Sequence, residues 1–281
     1  MKHPFQLINL VTLKKVSALF AGNYKTSFHG SGIEFAGIRE YTFGDSVGDI
    51  DWKTTARMGK TYIKTYEEDR ERKVLFLLDM GASMRFGSGS VTKFDTLSEI
   101  FSILSFSSVG NDDPIGAWFF ADQILNTLKI KKWMAHLGVI RQEFETFRAK
   151  LDTKESSLSP IITELFKKKI RNHLIFLFSD SLEALPQKEF RTLADQNDLV
   201  FIHIFDTFEN TLMGSLVHTT DDVYIDGGDM RKRQQYIDER NRLLADFRHD
   251  IIRLGGSYLS LDENQNVYKE LYKFFKGRQK R

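Results

Sequence analysis

Two carboxylates placed where short apolar runs end have the clearest capacity for chemistry in this chain. Val74 to Leu78 is an unbroken apolar run that stops at Asp79, and Gly81, Ala82 and Ser83 follow. Leu174 to Phe178 repeats the layout and ends in Ser179, Asp180 and Ser181. An apolar run this short, without polar alternation, fits a strand buried on both faces of a parallel sheet. Ligands of open α/β sheets bind beyond the carboxyl ends of such strands, and two neighbouring ends would bring Asp79 and Asp180 to one crevice. Carboxylate and hydroxyl oxygens there suit a hard divalent cation such as Mg²⁺. The plainer alternative is that Asp79 and Ser83 only cap the next turn.

The elements that must hold these ends in place alternate along the chain. Apolar spacing predicts a helix over Lys93 to Val109, then strands at Ile115 to Phe120 and Ile124 to Ile130, the second an edge strand after a tight turn. Helices follow over Trp133 to Leu151 and Ile161 to Ile170, the latter entered through Ser159 and Pro160. After the Asp180 strand come a helix at Pro186 to Gln196, a strand at Leu199 to Phe205 and a short strand at Val223 to Ile225. A long charged helix over Met230 to Leu254, a strand at Tyr258 to Leu261 and a last helix to about Phe275 complete the alternation. The expectation is an α/β domain over 73–281 with a mostly parallel, Rossmann-like central sheet flanked by helices.

Composition narrows the function classes. With 281 residues and 41% hydrophobic content, the chain can bury a large core, to which most of its 24 phenylalanines belong. Its 40 basic and 38 acidic residues nearly cancel, which gives no argument for nucleic acid or a membrane as partner. Absence of cysteine excludes disulfides, thiolate metal sites and cysteine nucleophiles, and suits a cytoplasmic location. Phe5 to Phe20 is interrupted by Lys14 and Lys15 and reads as an amphipathic helix stopped at Gly22, not as a membrane span.

Residues 1–72 form a separate N-terminal region, in which glycines punctuate short runs from Gly22 onward and suggest a β-rich elaboration. Arg39, Asp45, Asp51, Trp52 and Arg57 crowd into this stretch. Arg and Asp so near one another can form bidentate pairs, with Trp52 covering them. Such a network either locks an irregular fold or forms a binding surface.

These residues also carry a resemblance. GIEFAGIREYTFGDSVGDIDWKTTAR, followed by TYIKTYEEDRERKVLFLLDMGASM, closely resembles the bacterial family catalogued as domain of unknown function 58. That family joins a segment of the type G-x-E-F, R-E-Y, G-D, I-D-W, A-R to a von Willebrand factor A (vWA) domain. The resemblance implies a vWA-like sheet and a metal-ion-dependent adhesion site of the pattern D-x-S-x-S, with a later Thr and a distal Asp. By position Asp79 and Ser83 match the first and last members, Asp180 resembles the distal Asp, and Gly81 stands where the middle Ser is expected. The Thr position falls at Ser156 or Ser157 in KESSLSP. At Gly48 the family commonly has an Arg, so here Arg39 or Arg57 is expected to satisfy the nearby carboxylates.

For function, the resemblance implies a non-enzymatic protein-interaction module, an adaptor or co-chaperone for a MoxR-type AAA+ ATPase, with Mg²⁺ or Mn²⁺ at Asp79, Ser83, Ser156 and Asp180. Two alternatives stand beside it. One is a Mg²⁺-dependent phosphohydrolase, although the sequence has no D-x-D pair, G-x-x-x-x-G-K loop or G-x-S-x-G elbow. The other is a metal-free scaffold that binds through the N-terminal region.

Overall fold

The computed structural model describes residues 32–69, 73–150, 154–211, 217–218, 224–225 and 229–278. They belong to two compact units that divide between residues 71 and 72. The helix expected at Phe5 to Phe20 lies outside the described residues.

In the smaller unit, strands β1 (Gly32–Glu40) and β2 (Tyr62–Asp69) pair antiparallel, with a bulge between Phe35 and Gly37. The stretch expected to be β-rich also contains a helix, α1 (Trp52–Met58). Asp51 starts that helix by accepting hydrogen bonds from the Lys53 and Thr54 amides, and Gly59 ends it at φ 71°, a left-handed value that glycine adopts without strain.

The larger unit begins with β3 (Lys73–Asp79), a 3-10 turn at Ala82–Arg85, α2 (Lys93–Gly110), β4 (Ile115–Phe120) and β5 (Ile124–Lys131). Then come α3 (Met134–Ala149), α4 (Leu158–Lys167), β6 (His173–Ser179), α5 (Gln187–Gln196), β7 (Asp198–Phe205) and α6 (Thr207–Thr211). A minimal antiparallel pair, β8 (Val217–His218) with β9 (Tyr224–Ile225), precedes α7 (Met230–Arg253), β10 (Ser257–Asp262) and α8 (Val267–Arg278). The six-stranded sheet runs β10-β7-β6-β3-β4-β5. All neighbours are parallel except the edge strand β5, which pairs antiparallel with β4. This is the mostly parallel sheet flanked by helices that the apolar runs led us to expect, in the vWA-like form that the family resemblance implied.

Alternate residues of β3 feed two cores. Val74, Phe76 and Leu78 pack with α2, α3 and α8, whereas Leu75 and Leu77 pack with α4, α5 and α7. The ring of Phe76 meets Phe101 edge-on at 5.1 Å and stacks with Phe176 at 5.6 Å, so phenylalanine fills the space between sheet and helices. With both faces covered, β3 has no room for a polar residue between its exposed first position, Lys73, and its last, and Val74 to Leu78 therefore reads as a continuous apolar run.

Helix α2 is sunk into the first core. Its Ser102, Ser105 and Ser108 hydroxyls are buried and bond back to the carbonyls of Ser98, Ser102 and Leu104, which satisfies them without another element. A capping box fixes its first turn: Thr92 Oγ1 accepts from the Asp95 amide, and Asp95 Oδ2 accepts from the Thr92 amide. Helix α4 starts at Leu158, three residues before the predicted Ile161, because Glu183 accepts from the Leu158 and Ser159 amides and so caps the turn from outside.

Candidate functional site

The chain winds from β3 outward through β4 to β5, then returns to β6 on the other side of β3 and proceeds to β7 and β10. The reversal falls between β3 and β6, and the carboxyl ends of these two strands are where such a sheet opens a crevice. Asp79 is the last residue of β3, and Ser179 and Asp180 lie at the corresponding end of β6. The two carboxylates that the sequence singles out are therefore brought to one strand-end site.

Asp79 is fully buried. Its Oδ1 accepts from the Gly81 amide at 2.8 Å and from the Ser156 hydroxyl, and its Oδ2 accepts from Ser179 Oγ at 2.5 Å. Burial, and then the Asp180 charge, push its carboxyl up to about 7. Donors from Ser156, Ser179 and Gly81 pull the other way but do not overcome the loss of solvent.

Asp180 is held differently. Its Oδ1 accepts from Ser83 Oγ at 2.9 Å, and its Oδ2 takes a 2.6 Å ion pair from Lys93 Nζ. Lys93, the first residue of α2, has only 4% of its side chain exposed and also pairs with Glu209 on α6. Glu209 in turn is paired at 2.5 Å with Arg240 of α7, which also donates to Asn210. The ring of Phe86 lies 5.7 Å from the ammonium and packs beside Phe208 at 6.2 Å. Asp206 ties this cover down by accepting from the Ser88 and Phe208 amides, both at 2.8 Å.

The two serines left open by the sequence take different roles. Ser157 donates to Glu183 at the start of α4, whereas Ser156 turns to Asp79. A Cβ built on Gly81 would lie 1.9 Å from Ser156 Oγ and 3.1 Å from Ser156 Cβ. The Ser156 hydroxyl thus occupies the volume that a side chain at position 81 would need. A serine at position 81 and the present Ser156 rotamer would therefore exclude one another beside Asp79.

In the smaller unit, Arg39 and Asp45 form the bidentate pair, Nη1 to Oδ2 at 2.8 Å and Nη2 to Oδ1 at 2.7 Å. Thr42 donates to Asp45 through both its amide and its hydroxyl, and together with Arg39 it holds that carboxyl well below the usual range. Asp51 is satisfied by its helix rather than by an arginine, accepting from Thr54 Oγ1 at 3.0 Å as well as from the first-turn amides. Arg57 sits in the last turn of α1. Trp52 does not cover this network as expected: as the first residue of α1 it projects outward with 66% exposure.

Lys93, Glu209 and Arg240 belong to the site region and were not singled out from sequence, whereas Ser179 stands at the strand end where the apolar run stops. His203 pairs in register with Ser179 and is fully buried, stacked between Phe205 and Tyr258 at 5.7 and 6.0 Å. Neither ring nitrogen finds a well-aligned partner among the described residues. Burial, with the Arg240 charge next, pushes its imidazole down to about 3, and the Asp180 backbone raises it only slightly. The folded state therefore excludes a proton that the unfolded chain takes up below pH 6.5, and the stability His203 allows is intact above that pH and lost as the pH falls toward 3. His203→Phe removes buried nitrogens that are poorly satisfied, so we expect it to raise stability by about 1 kcal/mol at pH 7. Its advantage over the native chain should widen by about 1 kcal/mol per pH unit between pH 6.5 and 5, read from urea unfolding at each pH. A constant difference across that range would contradict the neutral buried imidazole.

Asp79, Ser83, Ser156, Ser179 and Asp180 offer carboxylate and hydroxyl oxygens only, a set that fits a hard cation. Among the described residues, no group of three or more His, Cys, Asp or Glu is placed to hold a metal ion. The Asp79 side of the crevice fits Mg²⁺ or Mn²⁺, while the Asp180 side already holds the Lys93 ammonium.

Comparison with known proteins places this geometry in context. Residues 37–242 match the family described as protein of unknown function DUF58. Uncharacterized proteins of Mycobacterium bovis and Mycobacterium tuberculosis are 22% identical over 200 residues, which cover 71% of this chain and 63% of theirs. The chain thus spans less than two thirds of the length of these curated relatives. Among solved structures, the conserved hypothetical protein BatB from Bacteroides thetaiotaomicron is similar with TM-score 0.47 and 14% identity, over 75% of this chain and all of that one. Proximal thread matrix protein 1 from the mussel byssus, in a structure with a zinc-occupied MIDAS motif, gives TM-score 0.40 and 14% identity, over 75% of this chain and 48% of that one.

Proposed function

The chain belongs to the DUF58 family of proteins of unknown function, and from that premise we propose a non-enzymatic protein-interaction module whose strand-end crevice grips an acidic group of a partner through a divalent cation. The observation that carries this reading is the meeting of Asp79 and Asp180 with three serine hydroxyls at the reversal point of the sheet. Asp79, Ser83, Ser156 and Asp180 would hold Mg²⁺ or Mn²⁺, and the bound cation would supply a Lewis-acid position for a carboxylate of the partner. Asp79 favours this use because its charge is buried and unpaired with any cation that the crevice residues provide. The partner we propose is a MoxR-type AAA+ ATPase, which the family resemblance supports.

Supporting the non-enzymatic part, the polar groups around the crevice are committed to one another: Ser83 to Asp180, Ser156 and Ser179 to Asp79, Lys93 to two carboxylates. A hydrolase would need one of them poised as base or nucleophile. Calorimetric titration with Mg²⁺ and with Mn²⁺ should give saturable heat with the native chain and none with Asp79→Asn. A pulldown with the ATPase should lose the partner in Asp79→Asn and Asp180→Asn, and unchanged retention in both would remove the crevice from the mechanism. Turnover of a phosphatase or nuclease substrate, abolished in Asp79→Asn, would replace this reading with the enzyme.

One observation favours a second reading, a metal-free scaffold that binds through the smaller unit. Phe43, Val47, Trp52 and Met58 are all exposed there and close together in sequence, and large apolar groups exposed as one patch mark an interaction surface. Loss of the partner in Trp52→Ala and Arg39→Ala, with full retention in Asp79→Asn, would establish that route instead.

A further inference from the structure

Lys93 is the anomaly of the crevice. A lysine at the first position of a helix normally reaches solvent, yet here the side chain is sealed beneath Phe86 and spends its ammonium on Asp180 and Glu209. Asp180 is the carboxylate a bound cation would be expected to share with Asp79, and its Oδ2 is already taken at 2.6 Å. Charges in the group balance without any ion: Asp180 and Glu209 against Lys93 and Arg240. A divalent cation is therefore drawn to Asp79 alone, and to share Asp180 it must face a fixed ammonium at the same oxygen.

The geometry points to Lys93 as a built-in competitor of the metal, an internal cation that holds Asp180 until a divalent ion displaces it and so sets how tightly the crevice binds that ion. This inference rests on the reading that the crevice accepts a divalent cation. Glu209 makes the exchange feasible, because it keeps the ammonium paired after Asp180 is released, and Arg240 keeps Glu209 in place. Ion entry is thereby coupled to α6 and α7, the elements that carry these two side chains. Lys93 acts as a specificity-determining residue: it raises the concentration of ion needed, and it favours ions that withdraw Asp180 from an ammonium over monovalent ones that cannot.

Mg²⁺ titration of the full chain by calorimetry tests this, using native protein, Lys93→Gln, Lys93→Met and Lys93→Arg. Lys93→Gln keeps a donor toward Asp180 and is the variant expected to fold most readily, with circular dichroism and thermal unfolding as the check. We expect Mg²⁺ to bind Lys93→Gln and Lys93→Met tighter than native by about tenfold or more, within the roughly 5–150-fold range of site coupling, and to raise their Tm more. Lys93→Arg, which keeps the charge, should bind Mg²⁺ more weakly than Lys93→Gln does. A merely structural role for Lys93 would weaken binding or leave it unchanged. Equal affinity in native and Lys93→Gln overturns the competition while leaving the metal reading intact. If neither the native chain nor the folded Lys93 variants take up Mg²⁺, the metal reading itself falls. Binding by Lys93→Gln alone would overturn displacement by the ion, with the ammonium standing permanently where an ion would go.

Discussion

Asp79→Asn should make the metal-free protein more stable at pH 8, by on the order of 3 kcal/mol, while abolishing its response to Mg²⁺. The Asp79 carboxyl is pushed up to about 7 from the ordinary 3.8, chiefly by burial. A carboxyl raised in this way is neutral in the folded state below pH 4, so folding there is not penalised. As pH rises from about 4 through 7, the unfolded chain is charged and the folded one resists, and stability is lost at up to about 1.4 kcal/mol per unit. Asparagine removes that loss and keeps the shape. Its amide oxygen can still accept from the Gly81 amide and Ser156, although Ser179, which now donates to Oδ2, must turn to accept. That adjustment is why the expected gain is set somewhat below the full value of the shift. Urea unfolding at pH 4 and pH 8 would read it: near equality at pH 4, a clear gain for the variant at pH 8. A variant no more stable than native at pH 8 would mean that Asp79 is comfortably charged as it stands. The sequence would then be keeping no costly carboxylate at the end of β3, and the physical argument for a cation there would weaken with it.

His203 works against Asp79 over part of the same range. Its depressed imidazole makes stability rise between pH 4 and 6.5, where the raised carboxyl makes it fall. The native chain should therefore look nearly indifferent to pH there, and each substitution exposes the slope of the other group.

Much of this was legible in the residues. Val74 to Leu78 and Leu174 to Phe178 announce buried strands because a sheet covered on both faces tolerates no alternation, and the carboxylates at their ends follow from where such strands stop. Helix α2 is equally plain, with its capping box at Thr92 and Asp95. What was hidden is what depends on distant partners. Lys93 precedes an apolar helix and by type belongs in solvent; only Glu209 and Asp180, at sequence separations of 116 and 87, make its burial affordable. Trp52 reads as a cover for charged neighbours, yet its helix begins at that residue and turns it outward. For Ser156, the family pattern narrowed the choice to two adjacent serines. The separation came from Glu183, which claims Ser157 and the start of α4.

The space that positions 81 and 156 share makes the second large prediction. If Ser156 fills the place of a missing side chain, then Gly81→Ser should destabilise the fold by about 2–3 kcal/mol, since two groups would claim one volume beside a buried carboxylate. Gly81 itself has φ −63° and ψ 164°, ordinary extended values, so the cost is steric and not conformational. Ser156→Gly alone should also destabilise, by about 1–2 kcal/mol, because it strips a hydrogen bond from Asp79 and leaves a void. Combined, the two changes restore one hydroxyl to the site from the other side of it. The double variant should recover most of the loss, giving a coupling of about 2 kcal/mol in a cycle measured by urea unfolding. Additive losses would show that Ser156 is only a neighbour of position 81. Recovery would show that positions 81 and 156 compete for one hydroxyl-sized space beside Asp79, so that either loop can supply the donor its buried carboxylate needs.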